Sequence, residues 1–192
     1  MKDFLIVLAS GSRYRAELLQ RLGIPFETWS PAVEESPQPG ESCAETARRL
    51  ARQKAEAARV RFPDAWVIGS DQVAELAGLP LGKPGNRDNA RRQLQAMRGK
   101  AVVFHTGICL LANGRAQVRL VPTEVTFRPL TDAEIEHYLD REPAFDCAGS
   151  AKSEGLGISL IASLRGDDPT ALVGLPLIAL AAMLREEGLA VP

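Results

Sequence analysis

Cysteine is scarce in this chain, and the three present, Cys43, Cys109 and Cys147, are far apart and form no CxxC pair. An odd, scattered set excludes a disulfide framework and a closed zinc site, so all three read as reduced thiols of a cytosolic protein. Histidine is scarcer still. His105 and His137 have no neighbouring serine, cysteine or ligand spacing, which assigns them structural roles. Aromatic residues make up 5%, and 23 basic residues nearly cancel 24 acidic ones, so no basic surface points to a nucleic acid polymer. The apolar stretch near the C-terminus is broken by Gly174 and Pro176 and falls short of the ~20 residues of a membrane helix. Met1-Lys2-Asp3-Phe4 leads into a strand-like segment without a signal-peptide cleavage pattern. There is no Walker motif, GxGxxG or HExxH.

What is present is a 192-residue chain that is 45% hydrophobic, enough to bury a core in one domain, residues 1–192, or two closely joined lobes. Strands and helices alternate. The apolar run Phe4–Ala9 predicts a strand buried on both faces, followed by a helix capped by Ser12 and ended at Gly23 and Pro25. Phe26–Trp29 reads as a short strand. Ser42-Cys43-Ala44-Glu45 is a capping box opening a long helix with the stripe Ala47, Leu50, Ala51 and Ala58. Trp66–Gly69 predicts another buried strand, running to Ser70 and ended by Asp71, and Val73–Leu81 a hairpin turning at Ala77-Gly78. Asn86 caps a helix with inner face Ala90, Leu94 and Met97, and Asn113-Gly114 joins two strands. Thr131 opens a second capping box. A Gly-rich hairpin-like segment, a last strand over Ile158–Leu164 and a helix with inner face Leu177, Leu180, Ala181 and Leu184 close the chain. The class is α/β with a mixed sheet.

Chemistry concentrates at a few places. The junction Leu8-Ala9-Ser10-Gly11-Ser12-Arg13-Tyr14-Arg15 sets hydroxyls and guanidiniums at a helix N-terminus, which suits a phosphate as well as it suits a plain serine cap. Lys54 lies on the apolar stripe, where it either meets a buried partner or snorkels to water. Asp71, at a strand end, is a candidate carboxylate for a ligand crevice or a turn residue. Lys83 is held extended by Pro84 and presents its ammonium from a loop. Glu34 and Glu35 sit in a Pro-rich loop, where solvated surface is the default reading.

Taken together, Leu8-Ala9-Ser10 to Leu18-Leu19, Gly69-Ser70-Asp71, Gly82-Lys83-Pro84, Thr106-Gly107, Cys147-Ala148-Gly149-Ser150 and Val173-Gly174-Leu175-Pro176 closely resemble the Maf family of nucleotide pyrophosphatases. The resemblance implies an elongated, two-lobed, ITPase-like α/β fold with a central nucleotide cleft and a divalent cation of the Mg2+ or Mn2+ type. It makes Asp71 the general base or metal-organising carboxylate, with Glu34 as supporting acid and second metal candidate. Ser10, Arg15, Lys54 and Lys83 would hold the triphosphate. The expected partner is a small nucleotide, without nucleic acid polymer or membrane, and a homodimer is compatible with it.

Tyr14, Gln72 and Glu154 stand where the main group of the family has arginine, threonine and glutamine, and resemble its smaller branch, which acts on 7-methyl-GTP. Methylation at N7 makes the base cationic, which favours an aromatic face at Tyr14 and a carboxylate at Glu154. Arg13 replaces the proline usual at this helix start. The competing readings are the same hydrolysis of unmodified dTTP or UTP, and a non-catalytic nucleotide-binding regulator of cell division.

Overall fold

The computed structural model describes residues 5–191. The chain forms two compact units: Met1–Gln72, Thr106–Val121 and Asp168–Pro192 make the first, and Val73–His105 with Pro122–Asp167 the second. Phe4, predicted to begin the first strand, lies outside the described residues.

In the first unit β1 (Ile6–Ala9) lies parallel to both β2 (Glu27–Thr28) and β3 (Trp66–Leu76). Each parallel return needs a crossover, supplied by α1 (Arg13–Gln20) and α2 (Cys43–Arg61). Both helices begin at the expected caps. Ser12 accepts from Arg15 N, and Ser42 forms a complete capping box with Glu45, each cap contributing about 1 kcal/mol. The sheet runs β2-β1-β3-β5-β6-β7, with β4 (Leu79–Leu81) antiparallel to β3; β5 is Ala101–Ala112, β6 Arg115–Phe127 and β7 Ile161–Arg165. It is a mixed sheet, since β6 and β7 are antiparallel.

Alternation along the strands decides which helix each residue meets. Ile6, Leu8, Trp66, Ile68, Ile108 and Leu110 pack with α1 and with α5 (Leu177–Glu186). Val7, Ala9, Val67, Cys109 and Leu111 pack on the opposite face with Ala51, Ala55 and Ala58 of α2. Small residues let α2 come close. A Cβ at Gly69 would stand 2.1 Å from the Ala51 carbonyl oxygen, and one at Gly107 2.3 Å from that of Ala47. Only glycine fits at either position.

In the second unit α3 (Arg87–Met97) and α4 (Asp132–Arg141) start at Asn86 and at the Thr131 capping box, as predicted. Ala90, Leu94 and Met97 are buried from one, and Ile135, Tyr138 and Leu139 from the other. The Asn113-Gly114 turn takes positive φ at both residues, 49° and 75°, as a two-residue hairpin requires.

Three predictions need correction. Asp71 does not end its strand, because β3 continues to Leu76 and Asp71 is an interior residue of it. The polar pair Asp71-Gln72 reads as a break only when its partners are unseen. The segment before the last strand is not hairpin-like but consists of two 3-10 turns, Ala148–Ser150 and Leu156–Leu160. It is held from α4, since Lys152 N donates to the Tyr138 hydroxyl at 3.3 Å and Gly157 N to the Glu142 carboxylate at 3.0 Å. The last strand consequently starts at Ile161 rather than Ile158.

Among the described residues Cys43, Cys109 and Cys147 form no disulfide, and no helix is long and apolar enough to cross a membrane. Burial pushes the thiols of Cys109 and Cys147 up to about 12, so neither is a nucleophile near neutral pH.

Candidate active site

β1 stops at Ala9, which pairs with Gly69, while β3 runs on through Ser70, Asp71 and Gln72. The carboxyl end of β1 therefore opens beside the continuing edge of β3, a ligand position in parallel α/β sheets. Residues 69 and 71 share the α2 face; residues 70 and 72 share the α1/α5 face.

On the α2 face Lys54 is 8% exposed and so does not snorkel. Its Nζ lies 2.6 Å from Asp71 Oδ1 and 2.6 Å from Glu35 Oε1. Asp71 is buried to the same degree, whereas the Glu35 side chain is 52% exposed. Removing one partner of such a buried pair costs about 3–5 kcal/mol, because the other charge is stranded. The structure sets Glu35, and not Glu34, against Lys54. Glu34 instead accepts from Ser36 N at 3.0 Å and Ser36 Oγ at 2.6 Å, bonds that hold its carboxyl below the usual range.

On the other face Ser70 Oγ lies 2.8 Å from the carbonyl oxygens of Gly107 and Gly174 and donates its one hydrogen between them. Gln72 Nε2 donates toward Thr106 Oγ1 at 2.9 Å and the carbonyls of Ala171 and Leu172 at 3.0 Å. Gln72 thus braces the 171–174 segment. Arg15 Nε donates to the Gly174 carbonyl at 2.8 Å and Arg15 Nη1 to Ser10 Oγ at 3.3 Å. Burial lowers the Arg15 pKa from its ordinary value, opposed by the charges of Asp71 and Glu35.

Ser10 Oγ also accepts from Ser12 N at 3.2 Å. With both lone pairs engaged, the hydroxyl keeps only its own hydrogen to give, which makes it a donor for an anion. Tyr14 is half-buried in the first turn of α1; its hydroxyl accepts from Arg13 Nη2 at 2.9 Å, and the Arg13 guanidinium lies 4.8 Å from its ring centroid. Ser10, Arg15, Lys54, Asp71 and Gln72 thus come together in the first unit, with Glu35 added.

Lys83 and Glu154 belong to the second unit, and both are exposed. There Gln93 Nε2 donates to the Gly82 carbonyl at 2.9 Å and Asn89 Nδ2 to the Pro84 carbonyl at 2.8 Å, fixing the backbone on either side of Lys83. Ser150 Oγ donates to Gln93 Oε1 at 2.6 Å. Glu154 accepts from Ser153 Oγ at 3.5 Å.

Sequence reasoning passed over Asp168, which is 2% exposed. It accepts from Thr170 N, Thr170 Oγ1 and Ile178 N at 3.0, 2.6 and 2.7 Å, capping α5 from outside the usual capping spacing and closing the segment that Gln72, Ser70 and Arg15 engage. Its local signal, the turn-forming Asp168-Pro169-Thr170, says nothing of the helix it caps.

The family described as Maf-like protein matches residues 5–187. A 7-methyl-GTP pyrophosphatase of Xanthomonas oryzae pv. oryzae is 58% identical over 97% of this chain and 98% of its own length. Proteins of the same name from Aromatoleum aromaticum and Thiobacillus denitrificans are 59% and 56% identical, over 100% and 95% of this chain and 100% and 92% of their own lengths. With the family pattern matched almost from end to end and relatives more than half identical along nearly their full lengths, this chain belongs to the Maf family.

Proposed function

We propose that the chain hydrolyses 7-methyl-GTP to 7-methyl-GMP and pyrophosphate. The observation that carries the chemistry is the Asp71–Lys54–Glu35 cluster beside Ser10 and Arg15 at the end of β1. The substrate is supported by the near-full-length relatives named for it.

Attack of water at the α-phosphate needs a proton acceptor, an anion cradle and neutralisation of the leaving pyrophosphate. Asp71, fixed on the interior of a strand, accepts the proton. Ser10 donates its hydroxyl hydrogen to a phosphate oxygen, and Arg15 brings positive charge beside it. Lys54 sets the distance between the two carboxylates and can donate a hydrogen bond to the phosphate chain.

Lys54 and Arg15 cancel Asp71 and Glu35, so these four groups add no net charge with which to offset a triphosphate. A hard divalent cation of the Mg2+ or Mn2+ type would be held by the carboxylates of Asp71 and Glu35, which meet at Lys54, together with substrate phosphates, since such ions take one or two carboxylates plus phosphate oxygens. Among the described residues no three His, Cys, Asp or Glu side chains gather into a cage that would hold a metal without phosphates. When bound, the cation would polarise the phosphoryl oxygens and offset leaving-group charge.

Tyr14 reads the methylated base: its ring attracts a cation, a place the Arg13 guanidinium takes at 4.8 Å from the centroid and the cationic base would take over. Gln72 acts on selectivity through the 171–172 backbone that it braces. Lys83, as a phosphate ligand, and Glu154, as an acceptor for the guanine edge, enter through the family resemblance alone.

Pyrophosphate release by purified protein with Mg2+ or Mn2+, across 7-methyl-GTP, GTP, UTP and dTTP, tests the proposal. A preference for 7-methyl-GTP is expected. A preference for UTP or dTTP overturns the substrate, and no release from any of them overturns the activity.

A further inference from the structure

The Glu35 side chain is half exposed and sits in a loop without regular structure. Yet its carboxylate meets a buried lysine. A half-buried clamp holds the residue that follows Glu35. Arg49 of α2 binds Glu41 through two parallel bonds, Nε to Oε1 at 2.6 Å and Nη2 to Oε2 at 2.7 Å. The two side chains are only 17% and 11% exposed. Arg49 Nη2 also donates to the Ser36 carbonyl at 3.0 Å, and Nη1 to Gln53 Oε1 at 3.0 Å. Glu41 in turn accepts from Gln38 N and Thr46 Oγ1, both at 3.0 Å.

Ser36, the residue after Glu35, is therefore held from both sides. Arg49 takes its carbonyl, and Glu34 takes its N–H and hydroxyl. Helix α2 grips Glu35 twice, at the carboxylate through Lys54 and at the adjoining backbone through Arg49. Bidentate guanidinium–carboxylate pairing fixes direction as well as distance, which a single ammonium cannot do.

We propose that Arg49 and Glu41 are positioning residues that set the Glu35 carboxylate beside Lys54 and Asp71, so that Glu34 serves this loop as an anchor. The inference rests on Glu35 acting in the reaction proposed above. A carboxylate displaced by about 1 Å can cost a hundredfold in turnover. Loss of the clamp should therefore act through kcat and should not add to loss of Glu35 itself.

The test is a double-mutant cycle on 7-methyl-GTP with saturating Mg2+, using Glu35→Gln, Glu41→Gln, Arg49→Lys and the Glu35→Gln/Glu41→Gln double variant, each checked for folding by circular dichroism. Glu41→Gln and Arg49→Lys should each lower kcat roughly tenfold or more with KM little changed. The double variant should be no slower than Glu35→Gln alone. Penalties that multiply, or a clamp variant with wild-type kcat, overturn the positioning role while leaving the site reading standing. Wild-type turnover in Glu35→Gln overturns both. Arg49→Lys keeps the charge, and the same cycle runs with it should Glu41→Gln fail to fold.

Discussion

Lys54 and Asp71, seventeen residues apart in the chain, meet at 2.6 Å because a lysine on the inner stripe of α2 faces a strand residue two positions past the glycine that lets that helix approach. The pair is part of the packing of α2 on the sheet as well as of the proposed chemistry. Substitutions at its two ends should therefore differ in kind.

Asp71→Asn keeps an oxygen for Lys54 but removes the proton acceptor. Its kcat should fall by about 10²–10⁴ with a smaller change in KM, and its melting temperature should fall less than that of Lys54→Ala, because Glu35 still faces the ammonium. Lys54→Ala leaves Asp71 buried opposite Glu35 with no cation between them, and should lose stability as well as turnover. Steady-state kinetics with thermal unfolding of both variants decides; turnover near wild type in Asp71→Asn would refute its role as base.

The close approach of α2 makes a purely structural prediction. Alanine at Gly69 or Gly107 places a Cβ 2.1 or 2.3 Å from a helix carbonyl oxygen, and backbone on both sides must give way. Overpacking of this kind costs about 1–3 kcal/mol. Urea unfolding should show both variants destabilised; a midpoint unchanged in either would mean that α2 does not lie as close as described.

Both capping boxes, the Asn86 cap and the Asn113-Gly114 turn were legible because their signals are local, a few residues wide, and agree with the tertiary structure. The interior position of Asp71 was not. Polar strand residues look like a strand end unless their partners, Lys54 and the 171–172 carbonyls, are known, and those lie far off in the chain. The choice between Glu34 and Glu35 was equally hidden. Both lie in a loop without regular structure, and nothing in their spacing says which of them faces α2. Asp168 escaped notice because it caps a helix across an intervening loop, outside any capping pattern.

Tyr14→Ala removes an aromatic face that attracts cations, an interaction worth about 0.5–2 kcal/mol. The KM for 7-methyl-GTP should rise roughly two- to thirtyfold relative to that for GTP. Glu154→Gln should narrow the same preference, since a neutral amide offers the charged base no counter-charge. Pyrophosphate release should persist in both. An unchanged ratio of kcat/KM for the two nucleotides in the Tyr14→Ala, Glu154→Gln double variant would remove these residues from base selection.

The Arg49–Glu41 clamp should show itself in acid. Hydrogen bonding from Arg49, the largest cause, brings the Glu41 carboxyl from an ordinary 4.5 to about 2, so the native state holds the ionised form more tightly than the unfolded chain does. A group depressed in this way contributes its full stabilisation above the unfolded value and loses it as pH falls toward the folded one. The window is therefore from about pH 4.5 down to about pH 2. At neutral pH the Glu41→Gln variant should melt below the wild type, and the gap should close through that window as the wild-type carboxylate is protonated and comes to resemble the amide. Thermal unfolding of the two proteins between pH 7 and pH 2 measures it. A gap that stays constant or widens in acid would mean that Glu41 is not held ionised by Arg49 in the folded state.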